Sequence, residues 1–164
     1  MKRYIRNTHI FSSGQFRMHN YYDEPGVREL CHAVKARNPS AIRKMAMQFA
    51  QSGVIDENSI IVPAPQHEGY AIYTKEIADV VSQLTGAKVL DILRCVPHRP
   101  LYEQKSQLGR FDPPTMYLDG EIEYAEDMYF LDNVLATGTT FTQANRLFHN
   151  QLKPLIYAKD MTIK

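Results

Sequence analysis

The sequence predicts an α/β fold, a mainly parallel twisted sheet with helices on both faces. Two observations predict it. Short apolar runs at Ser59–Val62, Lys88–Leu93, Met128–Leu131 and Pro154–Ala158 read as strands covered on both faces. Stretches with helical spacing alternate with these runs, at residues 70–84 and from Phe141 onward. Ligands of such sheets bind outside the carboxyl ends of the strands.

Taken in order, residues 1–24 hold apolar and aromatic side chains that suit one or two short strands, with Gly14 and Asn20 as turns. Pro25-Gly26 turns into a helix from Val27 to Arg37, with Leu30, Cys31 and Val34 as its apolar stripe. Asn38-Pro39-Ser40 breaks it and opens a second helix to Gln51, with Ile42, Met45, Ala46 and Phe49 inward. After the strand at Ser59–Val62 comes the loop Pro63–Gly69. The helix at 70–84 puts Tyr73, Ile77, Val80, Val81 and Leu84 on one face, and Gly86 stops it. Residues 94–114 lack periodicity and carry several prolines and cations, which suits a lid. Met116–Leu118 and Ile122–Tyr124 read as a hairpin around Asp119-Gly120. Phe141, Ala144, Leu147, Phe148 and Leu152 then fall at helical spacing.

The 164 residues suit one domain over 1–164. At 44% hydrophobic and 23% charged, with a formal net charge of +1, the bulk composition implies no nucleic-acid or membrane partner. The charge is uneven, since residues 1–44 carry nine Lys or Arg against three Asp or Glu. Such a basic segment is either a solvated face or an anion collector. Cys31 and Cys95 make neither a disulfide framework nor a metal pair, and read as reduced packing residues of a cytoplasmic protein. No apolar run has signal-peptide or membrane-span length. The six histidines are scattered, and only His67 and His98 fall on loops near the expected ligand edge.

The chemistry concentrates in Met128–Thr140. A buried strand ends at Asp132 and Asn133, and Ala136-Thr137-Gly138-Thr139-Thr140 forms a turn of small residues and hydroxyls. Gly138 permits close backbone approach. The following helix start offers unpaired N–H groups and the positive end of its dipole, a ready phosphate site. In Leu131-Asp132-Asn133-Val134 followed by Thr137-Gly138-Thr139-Thr140, the chain resembles the type I phosphoribosyltransferases. Their signature is a hydrophobic strand, an acidic pair and a Thr-Gly-x-Thr phosphate loop. Asn133 departs from it, standing where the second acid is expected. Within the superfamily the chain looks most like the ComF-type, amidophosphoribosyltransferase-related branch. That likeness rests on Leu30–Lys35, on Ile60-Ile61-Val62-Pro63-Ala64-Pro65, and on Leu93-Arg94 opening a loop with Pro97, Gln104 and Arg110. The branch's Arg-Gly-Phe-Asn run is replaced by Glu68-Gly69-Tyr70-Ala71, and its cysteine cluster is missing.

The resemblance implies a donor, phosphoribosyl pyrophosphate (PRPP), with magnesium, and transfer of its ribosyl group to a nucleobase or similar nitrogen nucleophile. It assigns the 5′-phosphate to Ala136, Thr137, Gly138, Thr139 and Thr140, and the ribose hydroxyls to Asp132 and Asn133. Pyrophosphate falls to Pro65, Gln66, His67, Glu68 and Gly69, a loop that is not glycine-rich. Arg99, Lys105 and Arg110 become catalytic cations on the lid beside Asp132. Magnesium is held mainly by substrate oxygens, with Asp132 as a protein ligand. The acceptor base belongs to a small hood, formed by residues 1–25 with 154–164, where Phe16, Tyr21, Tyr22 and Tyr157 offer rings for stacking. A homodimer is also implied. The rival expectations are a binding module that senses the donor, for which Asn133 is the signal, and a ComF-like accessory protein for DNA that uses the basic N-terminal segment.

Overall fold

The computed structural model describes residues 16–99, 115–136 and 138–160. Within them the elements run β1 (His19–Asn20), α1 (Val27–Lys35), α2 (Pro39–Gln51), β2 (Ser59–Pro63), α3 (Tyr73–Thr85), β3 (Lys88–Val89), β4 (Leu93–Cys95), β5 (Met116–Leu118), β6 (Asp127–Leu135), α4 (Thr139–Leu147) and β7 (Leu152–Lys159). Among the described residues, five strands form a sheet in the order β1-β7-β6-β2-β3, and every pairing in it is parallel. β4 and β5 pair antiparallel in a separate ribbon.

Period-2 alternation divides the apolar side chains between two cores. Ile61, Tyr129, Leu131, Leu155 and Tyr157 meet α1, α2 and α3 on one face. Ile60, Val62, Met128, Phe130 and Ile156 meet Ala144 and Phe148 of the α4 segment on the other. Helices therefore lie on both faces, as the pattern predicts. The central strands are apolar at nearly every position because both faces are covered.

Local chemistry sets the helix ends. Asn38 caps α2, its side chain accepting from the Ala41 N–H at 3.0 Å, with Pro39 at the first helical position. α1 closes in a Schellman arrangement, Asn38 N–H to Ala33 O at 3.0 Å and Arg37 N–H to Val34 O at 2.8 Å. Arg37 takes the left-handed position there, at φ 63°.

Several expected boundaries are corrected. The run Lys88–Leu93 is not one strand: only Lys88–Val89 pairs with β2, while Leu93 starts the ribbon with β5. Met116–Leu118 pairs with Leu93–Cys95 rather than with Ile122–Tyr124, and Asp119 N–H donates to Ile92 O at 2.7 Å. The lid reading therefore loses its first residues, because Arg94 and Cys95 are strand; residues 100–114 lie outside the described ones. Arg94 is held by Asp91 at 3.0 Å. The stripe of α3 is rotated: Thr74, Ile77, Ala78 and Val81 are buried and Leu84 is exposed. Thr74 goes inward because its hydroxyl donates to Ala64 O at 2.6 Å. α4 ends at Leu147, and Leu152 belongs to β7. His149 and Asn150 turn the chain at φ 54° and 61°, and Asn145 Oδ1 accepts from the Leu152 N–H at 2.9 Å. The expected hood residues 154–159 lie in the main sheet, and His19–Asn20 adds an edge strand beside them.

Candidate functional site

β2 and β6 are the strands at which the connections diverge. From β2 the chain passes over α3 to β3 on one side, while β6 lies on its other side and continues through α4 to β7. A topological switch point of this kind opens a crevice at the carboxyl ends of the two strands. The pairing shows the opening. β6 stays with β2 only as far as Leu131 opposite Pro63, and Ala64 N–H closes the ladder on Leu131 O at 2.9 Å. From Asp132 to Leu135 it pairs with β7 alone. The sequence ends this strand at Asp132 and Asn133; the structure carries it four residues past Leu131, because β7 still offers a partner.

A cleft of about 480 Å³ occupies that opening. Asp132 and Thr140 line it on one side and Pro65, Gln66, His67 and Glu68 on the other, with Lys35 and Arg37 from the end of α1. The structure thus brings the expected ribose acid, part of the expected phosphate turn and most of the expected pyrophosphate loop to one volume. Arg99 is exposed and follows His98, a cleft residue, without lining the cleft itself. Lys105, Arg110 and Thr137 lie outside the described residues.

The carboxyl of Asp132 meets the cleft yet is surrounded by protein. Burial pushes it up to about 7, and the Asn133 N–H donating to Oδ1 at 2.8 Å opposes that rise in part. Gly138 caps α4 in the left-handed conformation, φ 83°, and among the described residues a Cβ placed on it meets nothing closer than Leu135 Cδ1 at 4.0 Å. Gly138 O accepts from both the N–H and the hydroxyl of Thr142, at 3.0 and 2.9 Å, which fixes the first turn.

The Pro65–Gly69 loop departs from an open cradle of amides. The Gln66 N–H donates to Tyr70 O at 3.0 Å, and the Gly69 N–H to Gln66 O at 2.9 Å. The Gln66 side chain braces the loop, donating to Ala64 O at 2.9 Å and accepting from the Ile72 N–H. Gly69 does not line the cleft; it packs under β4, and its O accepts from the Cys95 N–H at 3.0 Å. His67 pairs with Glu68. The polar groups this loop turns to the cleft are therefore side chains of His67 and Glu68 more than a row of amides.

Arg37 pairs with Glu76 and holds its left-handed backbone at about 1–2 kcal/mol relative to glycine. Arg37→Gly relieves that strain and loses an exposed ion pair. The expected result is a stability within about 1 kcal/mol of the parent by urea unfolding.

Asp132 and Asn133 do not share the cleft. Adjacent strand residues point to opposite faces, and Asn133 lines a second cavity of about 710 Å³ with Tyr21, Tyr22, Cys31, His32 and Asp160. Lys35 and Tyr73 line both. Of the four rings expected to stack on a base, Tyr21 and Tyr22 border this second cavity. Phe16 and Tyr157 line neither: Phe16 packs on Phe49 at 4.7 Å, and Tyr157 is buried with its hydroxyl on Gln48 at 2.8 Å. The second cavity has no signal in the sequence beyond its tyrosines, because it joins residues more than a hundred positions apart.

Cys31 and Cys95 are free and buried. Burial, then the charge of Asp132, pushes the Cys31 thiol up to about 12, so it is a neutral packing group. No group of three or more His, Cys, Asp or Glu placed to hold a metal occurs among the described residues. The two carboxylates of the first cleft, Asp132 and Glu68, suit a magnesium ion carried chiefly on ligand oxygens rather than a protein cage. No helix among the described residues is long and apolar enough to cross a membrane. Compared with protein-family models and with curated proteins, the chain gives no match in either.

Proposed function

We propose that the first cleft binds phosphoribosyl pyrophosphate and that the chain is a phosphoribosyltransferase acting on a nitrogen nucleophile. One observation carries the reading: Asp132, Thr140 and Pro65–Glu68 surround a single volume at the switch point of the sheet. Its size, about 480 Å³, suits a ligand of this class.

The 5′-phosphate sits before the first turn of α4, where the Thr140 hydroxyl and the helix dipole favour an anion. Asp132 accepts hydrogen bonds from the ribose hydroxyls, an interaction that favours its ionised form. Lys35 and Arg37 raise the local positive potential for the pyrophosphate. Asp132 and Glu68 are the cleft carboxylates that would help hold magnesium on the donor's oxygens, where the metal would supply positive charge against the leaving group. In the reaction the C1–oxygen bond to pyrophosphate breaks and a nitrogen–C1 bond forms. The protein contributes position and charge, not a covalent step. Arg99, Lys105 and Arg110 remain the lid cations of this proposal. Because Asn133 faces the other cavity, its amide takes no charge from the first cleft. That favours turnover over mere sensing of the donor.

A melting series with PRPP tests the reading. A ligand bound only by the folded chain raises its stability, by about 2.7 kcal/mol at a hundredfold excess over Kd. The expected result is a magnesium-dependent rise in Tm that shrinks in Thr140→Val. No rise at millimolar donor with magnesium contradicts it.

A further inference from the structure

Asn133 is 7% exposed. Among the described residues its side-chain amide meets one hydrogen-bond partner, the Tyr73 hydroxyl, which donates to Oδ1 at 3.5 Å. A primary amide has two N–H donors besides its oxygen. Those donors are left to the second cavity, about 710 Å³, which Asn133 lines. Buried polar groups of native proteins are paired, so these donors point to a ligand that accepts from them.

The charges around the cavity narrow the ligand further. Lys35, the last residue of α1, brings a cation to the wall shared with the first cleft. Arg28, on the same helix, stands over the Tyr22 ring at 5.7 Å, so the aromatic margin already carries a cation. Asp160 brings a carboxylate from the far side, held after β7 by its N–H donating to Leu135 O at 3.0 Å. Val134, Ala136 and the neutral Cys31 thiol supply apolar wall. A ligand of one sign is opposed by one of these groups: an anion by Asp160, a cation by Lys35 and Arg28. An uncharged ligand strips water from all of them and returns little. A ligand with both an ammonium and a carboxylate matches both signs, and its carboxylate also accepts from the amide.

We propose that the second cavity binds an amino acid in its zwitterionic form. The carboxylate lies on the Lys35 ammonium and the Asn133 amide, the ammonium on Asp160, and the side chain along Val134 and Cys31. The assignment rests on the cavity, the buried amide and the two signs of charge. It stands whether or not the first cleft takes a sugar phosphate.

Calorimetric titration of the whole chain without PRPP tests the site, with glycine, L-leucine, L-phenylalanine and γ-aminobutyrate as probes. Each is paired with the acid that lacks its ammonium and the amine that lacks its carboxylate; for L-leucine these are isocaproate and isoamylamine. At least one amino acid is expected to bind. Both of its one-charge analogues are expected to bind at least about tenfold more weakly, the worth of a hydrogen bond to a charged group. Asp160→Asn is expected to weaken the amino acid about tenfold without weakening the acid analogue, and Lys35→Met to weaken it about tenfold without weakening the amine. Asn133→Leu is expected to weaken it as well, while its unliganded Tm equals or exceeds the parent's because a buried polar group is removed. That separates lost binding from lost folding. No binding of any of the four probes at millimolar concentration overturns the proposal. So does an analogue that binds as tightly as its amino acid, or binding that survives both Asp160→Asn and Lys35→Met.

Discussion

Asp132→Asn is expected to make the unliganded protein more stable at pH 8 and unable to hold the donor. Burial raises the carboxyl to about 7 in the folded chain, from an ordinary 3.8. A raised carboxyl costs nothing while it is protonated in both states. As pH climbs from about 4 to about 7, the unfolded chain releases this proton before the folded chain does, and stability falls. Above about 7 the full cost is present. Three pKa units correspond to about 4 kcal/mol, and the contact of Asp132 with the cleft reduces that to about 2–4 kcal/mol. The amide of Asn has nearly the same shape, keeps an oxygen for the Asn133 N–H and never ionises. The gain of Asp132→Asn over the parent is therefore expected to be small at pH 4, to grow to pH 7 and to level off, as read by urea unfolding at pH 4, 6 and 8. In the same samples the donor-induced rise in Tm is expected to vanish, because an amide is a weaker acceptor for the ribose hydroxyls. A variant less stable than the parent at pH 8 contradicts the placement of the carboxyl.

The second large effect is at Gly69. Its φ of +113° lies where side chains rarely go, and a Cβ there comes 2.9 Å from Cys95 O and 3.4 Å from Pro97 Cγ. The first of these is backbone and cannot swing aside. Gly69→Ala must part the loop from β4, breaking the Cys95 N–H bond to Gly69 O and loosening the His98 N–H bond to His67 O at 2.9 Å. Backbone strain and overpacking each cost about 1–3 kcal/mol, so a loss of about 3 kcal/mol is expected in urea unfolding. Gly53→Ala is the comparison. Its φ is +76°, nothing among the described residues stands within 4 Å of its Cβ, and about 1–2 kcal/mol is expected. Equal losses at the two positions contradict the close approach of loop and strand that shapes the cleft wall.

The sequence carries the fold where a pattern is long and its cause local. Ile60–Val62 and Met128–Leu131 read as buried strands because both faces are apolar, and α2 reads from Asn38 and Pro39 at one end and its stripe within. It fails where a partner far along the chain decides. Lys88–Leu93 looks continuous, yet β2 takes only its first two residues and Met116–Leu118 takes its end. Thr74 looks like a surface residue until Ala64 O is placed beside its hydroxyl. Of the residues named from the sequence, Asp132 and Thr140 line one cleft with Pro65–Glu68, while Gly138 caps the helix beside it. The sequence reading assigned Asp132 and Asn133 one shared ribose role; because β6 runs on to Leu135, strand alternation turns them to different cavities. The second cavity was not legible, because Tyr21, His32, Tyr73, Asn133 and Asp160 meet only through the packing of α1 and α3 on β6.

Diffraction from crystals grown with PRPP and magnesium is the most direct measurement of the central claim. The account expects the 5′-phosphate before Gly138–Thr140 and the ribose hydroxyls on the Asp132 carboxylate. Density for the donor elsewhere on the molecule, with the space before α4 filled by protein, contradicts it.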